Sequence, residues 1–231
     1  MLITSKIDGE KWLWINVPKT GSTAIMKTFF PQMKAIAQEH HCWEELIDIF
    51  GPRQTFTVVR DPIKRFRSAL NHTFSPIDSC VCTACIRISG EIPTTIQTIQ
   101  FVADMIRLKQ TRKDFFRAIY KNGETNYEQT IRDFLLKRFS NCLIPGDPRC
   151  VRISPYVSQT YMLEGPQELL TVIKYENQEE LSDFINQKLG YTLVTKKYRD
   201  YPNGLGVDFS DPTLLDLLHE LYSEDFKNFN Y

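Results

Sequence analysis

The chain has 231 residues, of which 42% are hydrophobic and 24% are charged, and its 28 basic and 28 acidic side chains give a formal net charge of zero. This length and composition predict one soluble globular domain over residues 1–231, with a full hydrophobic core. The charge balance excludes a general attraction to nucleic acid or to an anionic membrane, so an anion site has to be built from a few local basic groups.

The N-terminal sequence and the cysteine content indicate where the protein resides. Residues 1–10 contain no apolar core of a signal peptide, and no stretch approaches the roughly 18 apolar residues of a membrane helix. Six cysteines are too few for a disulfide scaffold in a chain of this length. We therefore expect a cytoplasmic protein without a membrane span, whose thiols are mostly reduced.

Predicted strands and helices alternate along the chain. Residues 12–17 and 54–59 are rich in aromatic and β-branched side chains, which predicts two strands. A helix that ends before Pro31 and a helix over residues 40–50 separate these strands, and a third helix follows the second strand. Farther along, the pattern predicts a strand at 171–175 and helices at 99–108, 127–139, 178–189 (closed by Gly190) and 211–226.

This order of elements predicts an α/β fold. Strands joined by crossover helices form a parallel sheet, so we expect a P-loop-like three-layer arrangement with a central parallel β-sheet flanked by helices. In open parallel sheets, ligands bind beyond the carboxyl ends of the strands. Two polar loops follow the two predicted strands of residues 12–59, and they would lie side by side if these strands are neighbours.

The first of these loops, P-K-T-G-S-T, joins the first strand to the first helix. It is not a Walker A loop, because Lys19 precedes a single glycine, Gly21. The glycine allows close approach of the backbone, and the N–H groups at the helix N-terminus favour an anion. Lys19 adds a full positive charge, and Thr20, Ser22 and Thr23 add hydroxyl groups. A plain strand-to-helix turn with a solvated lysine is the alternative interpretation.

The second loop carries Arg60 at the end of the second strand. Ser68 comes eight positions later, about two turns into the following helix. Both side chains could reach one phosphate, with Arg60 making a bidentate contact. The alternative is a capped surface helix whose basic side chains are solvated.

Together the two loops resemble a known family. A strand, P-K-T-G-S-T and a helix, followed by a strand and R-D-P-x-x-R-x-x-S, resemble the sulfotransferases that use 3′-phosphoadenosine 5′-phosphosulfate. The form V-V-R-D-P-I-K-R-F-R-S is most similar to their carbohydrate or Golgi-type branch, family 2. V-I-K-Y-E-N at 172–177 and L-Y-S-E-D-F-K-N-F-N-Y at 221–231 are also similar to that branch. The resemblance is strong over residues 12–70.

The resemblance implies a role for each loop. Lys19 would contact the leaving phosphate and the bridging oxygen, and residues 20–23 would cradle the 5′-phosphate. Arg60 and Ser68 would fix the 3′-phosphate. No metal is required in this scheme, because the lysine and the helix terminus supply the positive field. The product would be adenosine 3′,5′-bisphosphate.

The resemblance also implies a base, which in sulfotransferases is a histidine or a glutamate, with Glu39, Glu44 and Glu45 as the fallback candidates here. In this branch a histidine often opens the helix before the R-D-P strand, and His40 and His41 lie there. A histidine can accept a hydroxyl proton near neutral pH. The spacing favours His40 slightly but does not separate the two. The branch often has His-x-x-Pro-Gln on the acceptor side, whereas this chain offers Gln159 as the counterpart glutamine and lacks the histidine.

The motifs and the resemblance together predict a sulfotransferase that moves a sulfuryl group to an acceptor hydroxyl. The resemblance to the carbohydrate branch implies that this hydroxyl belongs to a carbohydrate. The acceptor-facing segment would be about residues 71–160, and neither nucleic acid nor a membrane is an expected partner. A P-loop kinase of a nucleotide or small molecule, and a non-catalytic nucleotide-binding module, are the alternatives. A short chain without an anchor differs from the Golgi enzymes, which suggests a microbial or viral origin.

A cluster of cysteines raises a separate question. Cys80, Cys82 and Cys85 are close enough in sequence to ligate one zinc ion, with Cys142 or Cys150 as a fourth ligand. Thiols without a metal are the first alternative, and disulfides in an oxidising compartment are the second. None of the three interpretations bears on the chemistry at Lys19.

Overall fold

The computed structural model describes residues 1–31, 41–74, 94–111, 156–195 and 206–231. The chain divides into two compact units, Met1–Asp61 with Gln159–Asp200, and Pro62–Ser158 with Tyr201–Tyr231. The expectation of a single domain stays a prediction.

The elements of these ranges, numbered in chain order, are four strands and eight α-helices. The strands are Leu2–Thr4 (β1), Lys11–Ile15 (β2), Thr55–Val59 (β3) and Leu170–Lys174 (β4). The helices are Ser22–Phe29 (α1), Trp43–Phe50 (α2), Pro62–Phe74 (α3), Thr95–Thr111 (α4), Gln159–Met162 (α5), Gln178–Leu189 (α6), Pro212–Leu221 (α7) and Ser223–Phe229 (α8). The predicted helix at 127–139 lies outside the described residues.

The first unit is built on a sheet with the strand order β1-β2-β3-β4. Strands β2, β3 and β4 run parallel, which confirms the α/β prediction, and β1 pairs antiparallel with β2. The sheet is therefore mixed: the predicted parallel arrangement holds for β2, β3 and β4, and the antiparallel edge strand β1 was not predicted. Residues 5–10 form a short turn, closed by a 2.8 Å hydrogen bond from Ser5 N–H to the Glu10 carbonyl. A connection this short can join only antiparallel strands.

The core of the first unit lies on one face of the sheet. Trp14, Phe56 and Ile173 from three successive strands lie on this face together with Phe29 of α1 and Ile185 of α6. Each fully buried side chain of this size stabilises the fold by ~1.5–3 kcal/mol. Alternation along a strand sends neighbouring residues to the opposite face. All five residues of β3 are buried, as its central place in the sheet requires.

Local signals in the sequence account for where helices of the first unit begin and end. Helix α2 begins at Trp43, later than predicted, because Cys42 and Glu45 form a capping box before it, in which Cys42 N–H donates to the Glu45 carboxylate at 3.2 Å. Helix α6 spans the predicted residues. Asn177 caps its start, and Gly190 ends it with a φ of +71°.

The second unit consists of helices in the described ranges. Its interior contains the fully buried Arg65 of α3, whose guanidinium donates to the Val157 carbonyl at 2.5 Å and lies 4.0 Å from the Asp225 carboxylate. Ser158 also donates to Asp225, at 2.6 Å. The final helix, which we predicted to be continuous, is broken at Tyr222 into α7 and α8.

Candidate anion-binding site

The residues of the candidate site lie in the first unit, at the carboxyl ends of three parallel strands. The P-K-T-G-S-T loop follows β2, Arg60 follows β3, and Tyr175 follows β4. Strands β2 and β3 are direct neighbours, with Ile15 opposite Thr57. The two predicted loops therefore lie side by side, and Arg60 Nη1 donates a 3.3 Å hydrogen bond to the Lys19 carbonyl.

The loop after β2 has an uncommon backbone conformation. Lys19 has a φ of +69° and Gly21 a φ of +87°. The left-handed conformation costs ~1–2 kcal/mol in a residue with a side chain. Such strain persists only where the surrounding structure enforces it, and it is found preferentially at ligand-binding sites. Lys19 is therefore held in a fixed, strained position at the entrance to α1.

The N-terminus of α1 presents backbone donors. Gly21 occupies the N-cap position, and no side chain caps the helix. Within the described ranges, the N–H groups of Gly21, Ser22 and Thr23 have no hydrogen-bond acceptor, and the first N–H group bonded within this turn is that of Ala24, at 3.0 Å from the Gly21 carbonyl. The helix dipole and these donors together favour an anion here.

Two hydroxyl groups of the loop form hydrogen bonds within the loop. Thr20 and Ser22 are buried, and both donate to the Val17 carbonyl, at 2.8 and 3.2 Å. These two hydroxyls hold the turn closed around the end of β2, and the cradling of a 5′-phosphate by residues 20–23 stays a prediction. The half-buried Thr23 has no such bond to the Val17 carbonyl, and its contact with a phosphate also stays a prediction.

Arg60 is a half-buried arginine without an acidic partner among the described residues. Its Nε atom is buried and has no hydrogen-bond partner, and no carboxylate lies within 4 Å of the guanidinium, in the part of the chain that the structure describes. An arginine normally pairs with a carboxylate or phosphate when it leaves water. An anion beside the guanidinium would supply the acidic partner that the described residues do not provide.

Two residues contact Arg60 from other elements of the same unit. Gln159 is fully buried, and its amide accepts from Arg60 N–H at 2.9 Å and donates to the Arg60 carbonyl at 2.8 Å. The Tyr175 ring lies under the guanidinium, with its centroid 4.8 Å from Cζ. The sequence motifs assign no role to Tyr175, although it lies in the V-I-K-Y-E-N stretch that resembles the family.

Tyr175 also lies against the loop after β2. A Cβ atom added to Gly21 would be only 2.6 Å from Tyr175 Cε2, so the ring occupies the space that any other residue would need. Tyr175 N–H donates to the Val59 carbonyl at 2.7 Å, which extends the pairing of β3 and β4 by one residue. Gly21, Arg60 and Tyr175 therefore form one packed group.

The candidate base is only partly described. His40 lies outside the described residues. His41 is about one-third exposed, and its Nδ1 atom is 3.4 Å from the Glu45 carboxylate on the first turn of α2. The adjacent Cys42 is buried, and desolvation raises the pKa of its thiol to about 11. Cys42 is thus a neutral thiol and no nucleophile, while the role of His40 or His41 stays a prediction.

The remaining predicted residues belong to the second unit or lie outside the described residues. Ser68 is half-buried in α3, a helix of the second unit, and its contact with a 3′-phosphate stays a prediction. Cys80, Cys82, Cys85, Cys142 and Cys150 lie outside the described residues. In the described ranges, no three His, Cys, Asp or Glu side chains come together as a metal site needs. No helix of those ranges has the length and apolar character for spanning a bilayer.

The comparisons with known proteins give no relative. No protein-family model, no curated protein and no solved structure matches the chain. The family resemblance therefore depends on the sequence motifs, and the site on its geometry.

Proposed function

We propose that the protein is a sulfotransferase that uses 3′-phosphoadenosine 5′-phosphosulfate as donor. The observation that carries the proposal is the pairing of Arg60 with the Lys19 loop. Arg60 Nη1 donates to the Lys19 carbonyl, its Nε lacks a partner in the described ranges, and the α1 N-terminus beside it offers uncapped N–H groups. A doubly phosphorylated ligand would satisfy both sets of donors.

The proposal includes a P-loop-like three-layer fold. Helices α1 and α6 pack on the sheet face of Trp14, while Leu13 and Ile15 of the same strand are also fully buried. A strand that is buried on both faces is typical of a parallel sheet covered by helices on each side. The P-K-T-G-S-T loop follows β2 at the carboxyl edge of the sheet, and nucleotides bind at this edge in open parallel sheets, which supports the proposal.

Each residue of the site has a separate role in the proposed sulfuryl transfer. The donor supplies an activated sulfuryl group. Lys19 and the N–H groups at the start of α1 stabilise the charge that develops on the 5′-phosphate as its bond to sulfur breaks. Arg60 holds the 3′-phosphate, and a contribution of Ser68 is assigned by resemblance alone. His40 or His41 accepts the proton of the acceptor hydroxyl while its oxygen bonds to sulfur, and adenosine 3′,5′-bisphosphate leaves.

The acceptor is assigned by resemblance. The proposed acceptor is a carbohydrate hydroxyl, and residues 71–160, of which only part is described, would form its binding surface. Acceptor pockets vary within a fold, because the fold fixes the donor site and the loops fix the partner.

Calorimetric titration tests the proposal. Adenosine 3′,5′-bisphosphate, 5′-AMP and ATP are titrated separately into the same preparation. We expect the bisphosphate to bind at least about tenfold more tightly than 5′-AMP, because the second phosphate adds a charge-assisted contact. A preference for ATP would favour the kinase, and no binding would overturn the donor site. Binding of the bisphosphate without turnover across a panel of carbohydrate acceptors would favour the non-catalytic module.

A further inference from the structure

We propose that Gln159 and Tyr175 are positioning residues that fix Arg60 before any ligand arrives, and that they thereby determine selectivity for a 3′-phosphate. This inference rests on the proposed function for the identity of the anion. The fixing of Arg60 itself is a property of the free protein and can be measured without a ligand.

Gln159 holds the main chain of Arg60. Its carbonyl oxygen accepts from Arg60 N–H, and its amide nitrogen donates to the Arg60 carbonyl, so one side chain pairs both polar groups of one residue. This is the pairing that a neighbouring strand would supply, continued one residue past the end of β3. Only a side chain with both a donor and an acceptor can provide it. Gln159 is fully buried and both bonds are partly buried, so loss of either one removes the partner of an Arg60 backbone group that has limited access to water.

Tyr175 holds the side chain of Arg60. The ring supports the guanidinium from one side at 4.8 Å, and Nη1 is fixed by the Lys19 carbonyl at 3.3 Å. The ring is itself fixed by contact with Gly21. A stacked, hydrogen-bonded guanidinium has lost most of its rotamer freedom before binding, so the entropic cost of ordering it does not oppose an incoming anion.

Selectivity measurements test both residues. The variants are Gln159→Met, which keeps the size but makes neither hydrogen bond, and Tyr175→Leu, which removes the ring. Tyr175→Phe is the matched control, because the stacking contact needs the ring and not the hydroxyl group. For each protein, the ratio of the dissociation constants of 5′-AMP and adenosine 3′,5′-bisphosphate is measured. We expect the ratio to fall about tenfold in the first two variants and to stay unchanged in Tyr175→Phe.

A second measurement follows Arg60 in the free protein. Relaxation of the ¹⁵Nε–H signal of Arg60, assigned with an Arg60→Lys variant, reports the order of the guanidinium. We expect an ordered signal in the wild type and in Tyr175→Phe, and a mobile one in Gln159→Met and Tyr175→Leu. If Gln159→Met does not fold, Gln159→Glu takes its place, since it can accept from the N–H group but cannot donate to the carbonyl.

The outcomes separate the two proposals. A wild-type protein that does not prefer the bisphosphate contradicts the sulfotransferase proposal, while the relaxation experiment still decides whether Arg60 is fixed. A wild-type preference that survives unchanged in Gln159→Met and Tyr175→Leu overturns the selectivity role. An Arg60 signal that is mobile in the wild type overturns the positioning role.

Discussion

The two units each contain an arginine that lies over a tyrosine ring, and the two pairs differ in what balances the charge. In the second unit, Arg65 is fully buried, lies 5.5 Å from the Tyr222 ring centroid, and faces the Asp225 carboxylate at 4.0 Å. In the first unit, Arg60 is half-buried over Tyr175, and no carboxylate of the described residues lies within 4 Å of it.

Under the proposed function, this difference separates a structural arginine from one that binds a ligand. The charge of Arg65 is compensated inside the protein, and removing one partner of such a buried pair is costly. Among the described residues, a carbonyl and a ring contact the Arg60 guanidinium, and neither neutralises its charge as an anion would. Five positions in sequence therefore separate two arginines with different uses, which the residue type alone does not reveal.

The largest expected effect concerns the compensated pair. Asp225→Ala leaves the buried Arg65 charge without its carboxylate and Ser158 without its acceptor. We expect the free energy of unfolding to fall by ~3–5 kcal/mol, measured by urea denaturation. Asp225→Leu combined with Arg65→Met should recover much of this loss, because an apolar pair carries no uncompensated charge. A loss below ~1 kcal/mol, the range of an exposed pair, would show that the two units do not differ in this way.

The next effect concerns turnover at the uncompensated site. Lys19→Ala keeps the Cβ atom and the backbone cost of the left-handed conformation but removes the charge. We expect kcat, followed by release of adenosine 3′,5′-bisphosphate, to fall by about 100-fold or more, because the charge acts mainly on the leaving oxygen. The affinity for the bisphosphate should weaken only about tenfold. Lys11→Ala, at the exposed start of β2, the strand that precedes the loop, is the control, and equal turnover in both variants would remove Lys19 from the mechanism.

The third effect is on ligand affinity, with little effect on stability, which is the opposite of the pattern expected for the buried pair in the second unit. Arg60→Ala should lower the affinity for adenosine 3′,5′-bisphosphate by about 10- to 100-fold and leave that for 5′-AMP nearly unchanged. The substitution should lower the free energy of unfolding by less than ~1 kcal/mol, because it leaves no carboxylate of the described residues without its partner. Calorimetry with both nucleotides and urea denaturation measure the two quantities. Equal losses for the two nucleotides would mean that Arg60 does not read the 3′-phosphate.

The sequence predicted those parts of the fold that local patterns encode. The strand predicted at 54–59 is Thr55–Val59, and the helix predicted at 178–189 is Gln178–Leu189. Alternation, capping and a C-terminal glycine are short-range signals, so they can be recognised without the tertiary structure. Strand β1 was missed because Leu2–Thr4 has only three residues, too few for a pattern.

The supports of Arg60 could not be predicted in the same way. Gln159 lies 99 residues from Arg60 in the chain, and Tyr175 meets Gly21 only because β3 brings the ends of β2 and β4 together. Both residues lie in stretches that the sequence motifs single out, but pairing across such distances depends on the register of the sheet. The bonds of the Thr20 and Ser22 hydroxyls to the Val17 carbonyl were not predicted for a related reason, since they depend on how the turn folds back on the end of β2.

The smallest effect tests whether the tyrosine ring of the uncompensated site is held by the loop. Gly21→Ala introduces a side chain at a φ of +87° and places its Cβ atom 2.6 Å from the Tyr175 ring. Gly9→Ala is a matched control, because Gly9 has a φ of +77° and nothing within 4 Å of the added atom. The backbone cost of ~1–2 kcal/mol is common to both variants, so the additional loss in Gly21→Ala measures the displacement of the ring. We expect that additional loss to be ~1 kcal/mol by urea denaturation, from overpacking against the ring, and to vanish when Tyr175→Ala is added. Equal losses for the two glycines would mean that the ring moves aside freely, and Arg60 would then have a weaker support than Arg65 has in the core of its own unit.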